Sequence, residues 1–405
     1  MTEFIGGNVK SKKLVQSLAL LGALATAVYS HAGEVNGIDF SGSGFLTLGA
    51  GKMMGGAHNN VSDYNCPCFI GDYAQAGVYQ GDKEFQWKPD SKLGVQGTAA
   101  FDNRRYSITA QAVARGARDG AVNLEWLYGS YKLNDKITFQ AGRKRLPMFY
   151  YSDTQDIGVA LPWAHLPPQL YGWEAVNYNG VNMMYQDQWD GWSTTANLLA
   201  GKETYKDSGY WKIYNGSQNR TDVKWSNILG GDLTLSKDWL ETRLVYIQSD
   251  TQTKNVNGTW DAATLSYDPG FIETEFGPAA KQQIYGIAIN ADYMNWLVRT
   301  EFIHINRPGL NFKDFAQIVG VGYRLGKWQP MLTWSRYKGT AVVDQGGDPE
   351  GQEGHATTAL SLRYDLTTSS AVKMQIDSQR DQSGPNWAPN YGDARLLTFT
   401  YDMVF

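Results

Sequence analysis

The chain of 405 residues has few cysteines, few charges and little sequence that could form a membrane-spanning helix. Only two cysteines are present, so a fold held together by several disulfides is excluded. Charged residues make up 19% and aromatic residues 13% of the chain, whereas disordered chains have few aromatic residues. After Ala32 no apolar run reaches about 18 residues, which excludes a bundle of membrane-spanning helices.

The first 32 residues have the pattern of a cleaved export signal. Three lysines between residues 10 and 13 precede an apolar stretch over residues 18–28, and Ser30 and Ala32 place small residues before the cleavage point. A helix needs about 20 apolar residues to cross a bilayer, so cleavage after Ala32 is favoured over an anchor or a buried helix. Loss of three lysines and Glu3 shifts the net charge from −4 to about −6.

From residue 91 onward, segments of about ten residues alternate between apolar and polar side chains. In the last segment, Leu397, Phe399 and Tyr401 fall on one face, and Thr398 and Thr400 fall on the other. This alternation predicts strands whose two faces meet different media.

Short turns and long connections alternate along the chain. Turn residues occur at positions 102–103, 134–135, 190–191, 237–238, 294–295, 326–327 and 367–368. The long polar or glycine-rich connections cover roughly residues 52–90, 115–122, 147–174, 203–226, 250–281, 305–314, 338–355 and 382–393. Together they predict about sixteen strands, the first near residues 39–52 and the last ending at Phe405.

We expect an all-β fold, a transmembrane antiparallel β-barrel, because hydrocarbon offers no hydrogen-bond partner to an open sheet edge. A soluble sandwich would also alternate, but its apolar face would point inward. The unequal connections and the terminal Phe405 favour the barrel. So do the aromatic residues expected near strand ends, where rings can lie at the lipid head groups: Trp126, Tyr131, Trp239, Trp296, Trp328 and Trp334.

The final strand, which ends in Phe405, resembles the insertion signal of Gram-negative outer-membrane barrels. The chain after residue 32, with its eight long connections and a long third one, resembles the trimeric sixteen-stranded porins. The resemblance implies one barrel domain over residues 33–405, located in the outer membrane as a homotrimer. Its implied partners are outer-membrane lipid, lipopolysaccharide and small hydrophilic solutes, and no subfamily is identified.

The third long connection, residues 147–174, is rich in aromatic residues and prolines, which predicts a stiff and packed loop. In the porins that the chain resembles, this loop folds into the barrel and forms the constriction. The alternatives are packing on the outer rim or on a neighbouring subunit.

Cations just before this loop, facing carboxylates within it, would create a transverse electric field at the narrowest point. The candidate constriction residues are Arg143, Lys144, Arg145, Arg115, Arg118, Lys52, Asp153 and Asp156. Strict alternation would turn either Lys144 or Arg145 outward. The alternative role for the cations is to bind lipopolysaccharide phosphates at the outer rim.

Other chemistries have little support in the sequence. Cys66 and Cys68 lack enough neighbouring ligands for zinc, so a disulfide is the expected state in an exported protein. No metal or cofactor site is predicted. No histidine has the neighbours that mark a hydrolase, so we expect no enzyme, and the acidic balance argues against nucleic-acid binding.

A barrel of 16 to 18 strands leaves an aqueous lumen. We therefore predict a water-filled channel for passive diffusion of small hydrophilic solutes and ions, without a predicted charge preference. One alternative is a channel selective for a sugar, organic acid or peptide. Another is a surface adhesion or structural barrel with a plugged lumen, whose loops over residues 203–226 and 250–281 bind a partner.

Overall fold

The computed structural model of the chain describes residues 33–58, 60–261, 266–268, 272–308, 310, 312–342, 347–387 and 392–405. The predicted export signal, residues 1–32, lies outside the described residues. Within the described ranges, no helix has both the length and the apolar character needed to cross a membrane.

Sixteen long strands follow one another along the chain. They are β1 (Ile38–Gly56), β2 (Lys92–Phe101), β3 (Tyr106–Arg115), β4 (Val122–Lys132), β5 (Ile137–Arg145), β6 (Asn177–Trp189), β7 (Trp192–Tyr205), β8 (Thr221–Lys237), β9 (Leu240–Asn255), β10 (Ala280–Tyr293), β11 (Trp296–Arg307), β12 (Phe312–Tyr323), β13 (Trp328–Ala341), β14 (Gly354–Asp365), β15 (Ser370–Asp381) and β16 (Ala394–Val404). A short strand, Gly33–Val35, pairs with the start of β1.

The strands form one closed antiparallel barrel. Each strand pairs with its neighbours in the chain, and β1 pairs with both β2 and β16. Beyond the end of β16, Phe405 exchanges two backbone hydrogen bonds with Gly44, of 2.7 and 3.0 Å. The predicted fold class and strand number are confirmed, and closure leaves no sheet edge to be satisfied by lipid.

Short connections lie at one end of the barrel and long ones at the other, as the turn pattern predicts. In the described ranges, the long connections contain two helices, α1 (Pro168–Tyr171) and α2 (Gly209–Asn215), and single 3-10 turns at Gly116–Arg118, Gly158–Ala160 and Pro349–Gly351. They also contain three small hairpins: Asn60–Val61 with Tyr64–Asn65, Cys68–Asp72 with Gly77–Gln80, and Thr259–Asp261 with Ser266–Asp268. Cys66 and Cys68 form the expected disulfide.

The apolar faces of the strands point outward. Large exposed apolar side chains on the outer face include Ile108, Leu127, Phe139, Val181, Leu198 and Leu229. Trp239, Trp296, Trp328 and Trp334 are also exposed, as expected for rings near the membrane surface. Trp126 differs from the prediction, because it pairs in register with Gln111 and lies on the inward-facing row of β4.

The orientation of the strands predicts that an arginine destabilises the barrel more on the outer face of a strand than on its inner face. Leu198 lies in the middle of β7 and is 62% exposed on the outer face. We expect Leu198→Arg to destabilise the barrel by about 2–4 kcal/mol, the cost of an arginine at the bilayer midplane.

Thr195 on the same strand faces inward, so Thr195→Arg serves as the matched control. Both variants are compared with the parent chain by urea titration in lipid vesicles, with the folded fraction read from heat-modifiable electrophoretic mobility. Equal urea midpoints for the two variants would contradict the assigned orientation.

Candidate functional site

Loop 3, residues 146–176 between β5 and β6, folds into the barrel. Its apolar side chains pack against apolar side chains that the opposite wall turns inward, such as Ile247 on β9, Ile303 on β11 and Met331 on β13. The loop members of this cluster are Leu146, Met148, Phe149, Tyr151, Leu161, Trp163, Leu166, Leu170, Tyr171, Trp173 and Ala175. The aromatic residues that predicted a stiff loop therefore form a packed core inside the barrel.

Asp156 joins loop 3 to the near wall through buried ion pairs. Its Oδ2 atom lies 2.6 Å from Arg115 Nη2 on β3 and 2.6 Å from Arg145 Nη2 on β5. Glu125 on β4 lies 2.6 Å from Arg115 Nη1 and completes the network. Burial alone would raise the pKa of Asp156, but the two guanidinium groups outweigh it and hold this pKa well below its usual range. The Asp156 carboxylate and the two guanidinium groups therefore form direct ion pairs, whereas the sequence predicted that they would face each other across the water-filled constriction.

Cations on the far wall bind the backbone in the middle of the loop. Arg363 on β14 donates from Nη1 to the carbonyl oxygens of Val159, at 2.5 Å, and Leu161, at 2.9 Å. Lys373 on β15 donates to the carbonyl oxygen of Gly158 at 2.6 Å. These bonds satisfy backbone carbonyl groups in the middle of the loop and hold it against β14 and β15.

Gly158 lies where loop 3 meets β1 and β16, and a side chain would not fit there. A Cβ atom at this position would lie 1.8 Å from Asp402 Oδ1 and 2.7 Å from Thr47 Oγ1. The Thr47 hydroxyl donates to Asp402 at 2.6 Å, and Asp402 lies 3.1 Å from Lys373 Nζ. Glycine at this position therefore permits close contact between the loop and a buried ion pair.

The start of loop 3 is held by the wall on the other side of the barrel. The backbone N–H of Tyr150 donates to Glu301 on β11 at 2.8 Å, and its hydroxyl donates to Glu241 on β9 at 2.5 Å. Arg243 on β9 donates to the carbonyl oxygen of Pro147 at 3.3 Å. Loop 3 thus crosses the lumen and contacts both sides of it.

His165, in the second half of loop 3, lies between two carboxylates. Its Nδ1 atom is 3.2 Å from Asp90, in the connection between β1 and β2, and its Nε2 atom is 3.4 Å from Asp377 on β15. Tyr79 also donates to Asp90, at 2.7 Å. Burial alone would lower the pKa of His165, but the two carboxylates outweigh it and raise the pKa to about 10.

We expect loop 3 to loosen at alkaline pH because His165 then loses its charge. The pKa in the folded state lies above the unfolded value of about 6.5, so this contact stabilises fully below that value. The stabilisation is lost as the pH rises through about 10. Cleavage of loop 3 by subtilisin should therefore increase over this pH range in the parent chain.

The control for this titration is His165→Gln, which keeps a polar side chain but cannot gain a proton. Loop cleavage in this variant, corrected for the intrinsic pH dependence of the protease, should change less with pH than in the parent chain. Parallel pH profiles for the parent chain and the variant would contradict the assignment to His165.

Loop 3 covers one half of the inner wall and leaves the other half open to solvent. Inward-facing polar residues on β13–β15, such as Thr333, Ser361 and Gln375, are buried beneath the loop. On β2–β8 many inward-facing polar residues that carry no charge remain partly accessible, and we call this set the accessible wall: Gln96, Thr98, Ser107, Ser130, Thr138, Gln140, Gln186, Ser193, Thr195, Asn197, Thr234 and Ser236. The space left for solvent therefore lies between loop 3 and the accessible wall.

Lys144 lies on the inward-facing row of β5, next to Gln140 of the accessible wall. Its Nζ atom donates to Gln140 and, at 3.1 Å, to Asn182, and it lies 5.1 Å from the centre of the Tyr128 ring. Asp153 is exposed on loop 3. The structure thus brings Arg115, Arg145 and Asp156 together in the buried network and leaves Lys144 and Asp153 outside it.

The structure does not bring Arg143, Lys52 or Arg118 to these residues. Arg143 pairs in register with Leu127 on the outward-facing row, and its guanidinium contacts Glu203 at 2.5 Å. Lys52 pairs with Leu397, also on the outer face. Arg118 lies in the second long connection and contacts Asp207, 3.2 Å away in the fourth.

The alternation pattern could not reveal Glu125 as part of the network. Strict alternation from the inward-facing Trp126 would turn Glu125 toward lipid. A register shift between β3 and β4 at this point turns the Glu125 side chain inward, against Arg115. Arg145 and Lys144 are neighbours in β5, yet both side chains face the lumen. Arg145 is the last residue of β5, and its side chain contacts Asp156.

Neither a protein-family model nor a curated protein sequence matches this chain. Solved structures do match. The outer-membrane expressed OmpT of Vibrio cholerae is 9% identical with a TM-score of 0.54, over 92% of this chain and 99% of that one. The anion-selective porin of Comamonas acidovorans is 11% identical with a TM-score of 0.54, over 91% of this chain and 100% of that one.

The outer-membrane channel DcaP of Acinetobacter baumannii is 11% identical, with a TM-score of 0.54, over 92% of this chain and 99% of that one. At these identities the likeness concerns the fold alone. The chain has the fold of the Gram-negative outer-membrane porins.

Proposed function

We propose that this chain is an outer-membrane porin, with a water-filled passage for passive diffusion of small hydrophilic solutes and ions. The observation that carries the proposal is the half-covered lumen. Loop 3 buries the inner wall of β13–β15, whereas the accessible wall on β2–β8 stays in contact with solvent. A barrel of 16 to 18 strands encloses an aqueous lumen, which an inward-folded loop narrows but does not fill here.

The proposed location is the outer membrane of a Gram-negative bacterium, reached by export with cleavage after Ala32. Residues 33–405 then form one barrel domain with residues 147–174 as its constriction loop. The exposed apolar outer face supports contact with lipid. Lys52, on the outer face of β1 toward the long-loop end, suits lipopolysaccharide phosphate.

A homotrimer is the proposed assembly, on the strength of the fold. One structure of the Vibrio cholerae OmpT is described as a trimer form, with 9% identity to this chain. Chemical crosslinking of the purified protein in detergent should give a species of three chains, and a single-chain species alone would reject the trimer.

Planar-bilayer recording of the purified, refolded protein tests the channel directly. Stable conductance steps in potassium chloride are expected, and heat-unfolded protein from the same preparation is the control. Liposome swelling with a series of sugars should slow as the sugar grows. Absence of both conductance steps and swelling would reject the channel in favour of a plugged barrel.

A further inference from the structure

Outside the Asp156 network, the charged groups of the lumen are concentrated on the half that loop 3 covers. Glu301, Arg363 and Lys373 on β11, β14 and β15 are all engaged with the loop backbone. The accessible wall, in contrast, consists of amide and hydroxyl side chains. The charged groups on these inward-facing rows, between the Asp156 network and the short-turn end of the described barrel, are Lys144, Asp232 and, at the end of β4, Lys132, which lies 2.9 Å from Asp135.

These charges are few and of both signs. Asp232 lies 3.4 Å from Arg243 and accepts from Asn197 at 3.2 Å. Lys144 donates to the neutral side chains of Gln140 and Asn182. A passing ion therefore meets no concentration of charge of one sign along the accessible wall, and the wall offers it little to offset the loss of hydration in a narrow passage.

The polar side chains of the accessible wall form cross-strand pairs. Gln111 donates to Gln96 at 3.0 Å, and Gln140 donates to Ser130 at 3.2 Å. Each amide and hydroxyl has both donor and acceptor capacity, and one pair uses only part of it. The remaining capacity matches a solute whose hydroxyl groups also donate and accept, and such a solute can replace its water contacts one by one.

Two aromatic rings interrupt this polar surface. Trp126 and Tyr128 both lie on the inward-facing row of β4, with ring centroids 6.4 Å apart and planes tilted by 58°. They remain partly accessible. Aromatic faces beside amides and hydroxyls suit a solute that has a C–H surface as well as hydroxyl groups, as sugar rings do.

We propose that the passage favours uncharged polyhydroxylated solutes, such as simple sugars, over charged solutes of the same size. The inference rests on the proposed function, because it concerns what the passage admits. The accessible wall on one side of the lumen carries neutral hydrogen-bonding groups. On the other side, the charged groups bind loop 3.

Proteoliposome swelling with glucose, glucosamine and glucuronate tests this preference, since the three solutes have nearly the same size and differ in charge. The glucose rate should exceed both others by about threefold or more, a difference of roughly 0.65 kcal/mol by the Boltzmann relation. Equal rates, or a faster rate for either charged sugar, would overturn the inference while leaving the channel intact. Absence of swelling with all three would instead reject the proposed function.

A positive charge placed on the accessible wall should change the relative swelling rates of the charged and the neutral sugars. We expect Gln96→Lys to raise the ratio of the glucuronate rate to the glucose rate severalfold. Thr368→Lys adds the same charge in the last short turn, where residue 368 is exposed, and should leave the ratio unchanged. An equal change of the ratio in both variants would show that the accessible wall does not determine the preference.

Discussion

Asp156→Asn is expected to release the near side of loop 3 and to raise the single-channel conductance. The substitution leaves Arg115 and Arg145 buried with Glu125 as their one remaining carboxylate partner in the network. Loss of one partner from a buried ion pair costs about 3–5 kcal/mol, because a charge is left uncompensated. Since the same contact holds the loop against β3 and β5, movement of the loop should widen the passage and increase the open-channel noise.

The control is Asp153→Asn, which removes the same charge from an exposed position on the same loop. It should leave the urea midpoint of unfolding unchanged and alter at most the ion preference. Planar-bilayer recording and urea titration are performed on both variants. If Asp156→Asn had the conductance and urea midpoint of the parent chain, the network would not be what positions the loop.

The barrel could be predicted from the sequence because membrane strands obey simple rules. Each strand meets lipid on one face and water on the other, so alternation such as that of Leu397 and Thr398 is visible without knowledge of strand partners. The short turns fix the positions of the strand ends in the sequence to within a few residues. Closure then follows from the need to pair every strand edge in lipid.

The constriction residues were harder to predict, because their roles depend on contacts that local pattern does not encode. Asp156 and Arg115 were recognised as charges near the loop, but their direct contact requires the path of loop 3 through the lumen. The sequence places Lys52 at the end of the first predicted strand but does not show which face of the strand it occupies. Its row is set by the register with Leu397, which belongs to a strand more than three hundred residues away.

The accessible wall was not predicted, since its identity depends on which half of the barrel loop 3 covers. The charges of β11, β14 and β15 alternate with apolar residues along their strands, and this pattern does not distinguish loop anchors from pore-lining groups. Contacts such as that of Lys373 with the Gly158 carbonyl settle the distinction. A polar residue on an inner face is thus a candidate for either role until the loop is placed.

Trp163→Ala is expected to have a large effect on stability, because Trp163 lies at the centre of the cluster that holds loop 3 in the barrel. Its side chain is 0% exposed, and its ring meets Tyr151 edge to face with centroids 5.6 Å apart. The indole N–H donates to Thr333 on β13 at 2.8 Å. Truncation of a buried tryptophan to alanine costs about 3–5 kcal/mol through lost contacts and the cavity left behind.

Two further variants separate the causes of this effect. Trp163→Phe keeps most of the apolar contact and loses the hydrogen bond to Thr333, so its urea midpoint should lie between those of Trp163→Ala and the parent chain. Trp189→Ala removes a tryptophan that is 77% exposed, and it should leave both the urea midpoint and the conductance nearly unchanged. Trp163→Ala should also increase conductance, since the loop then loses its main apolar contact with β13. A lower urea midpoint with unchanged conductance would mean that the ion pairs of Asp156, rather than apolar packing, fix the width of the passage.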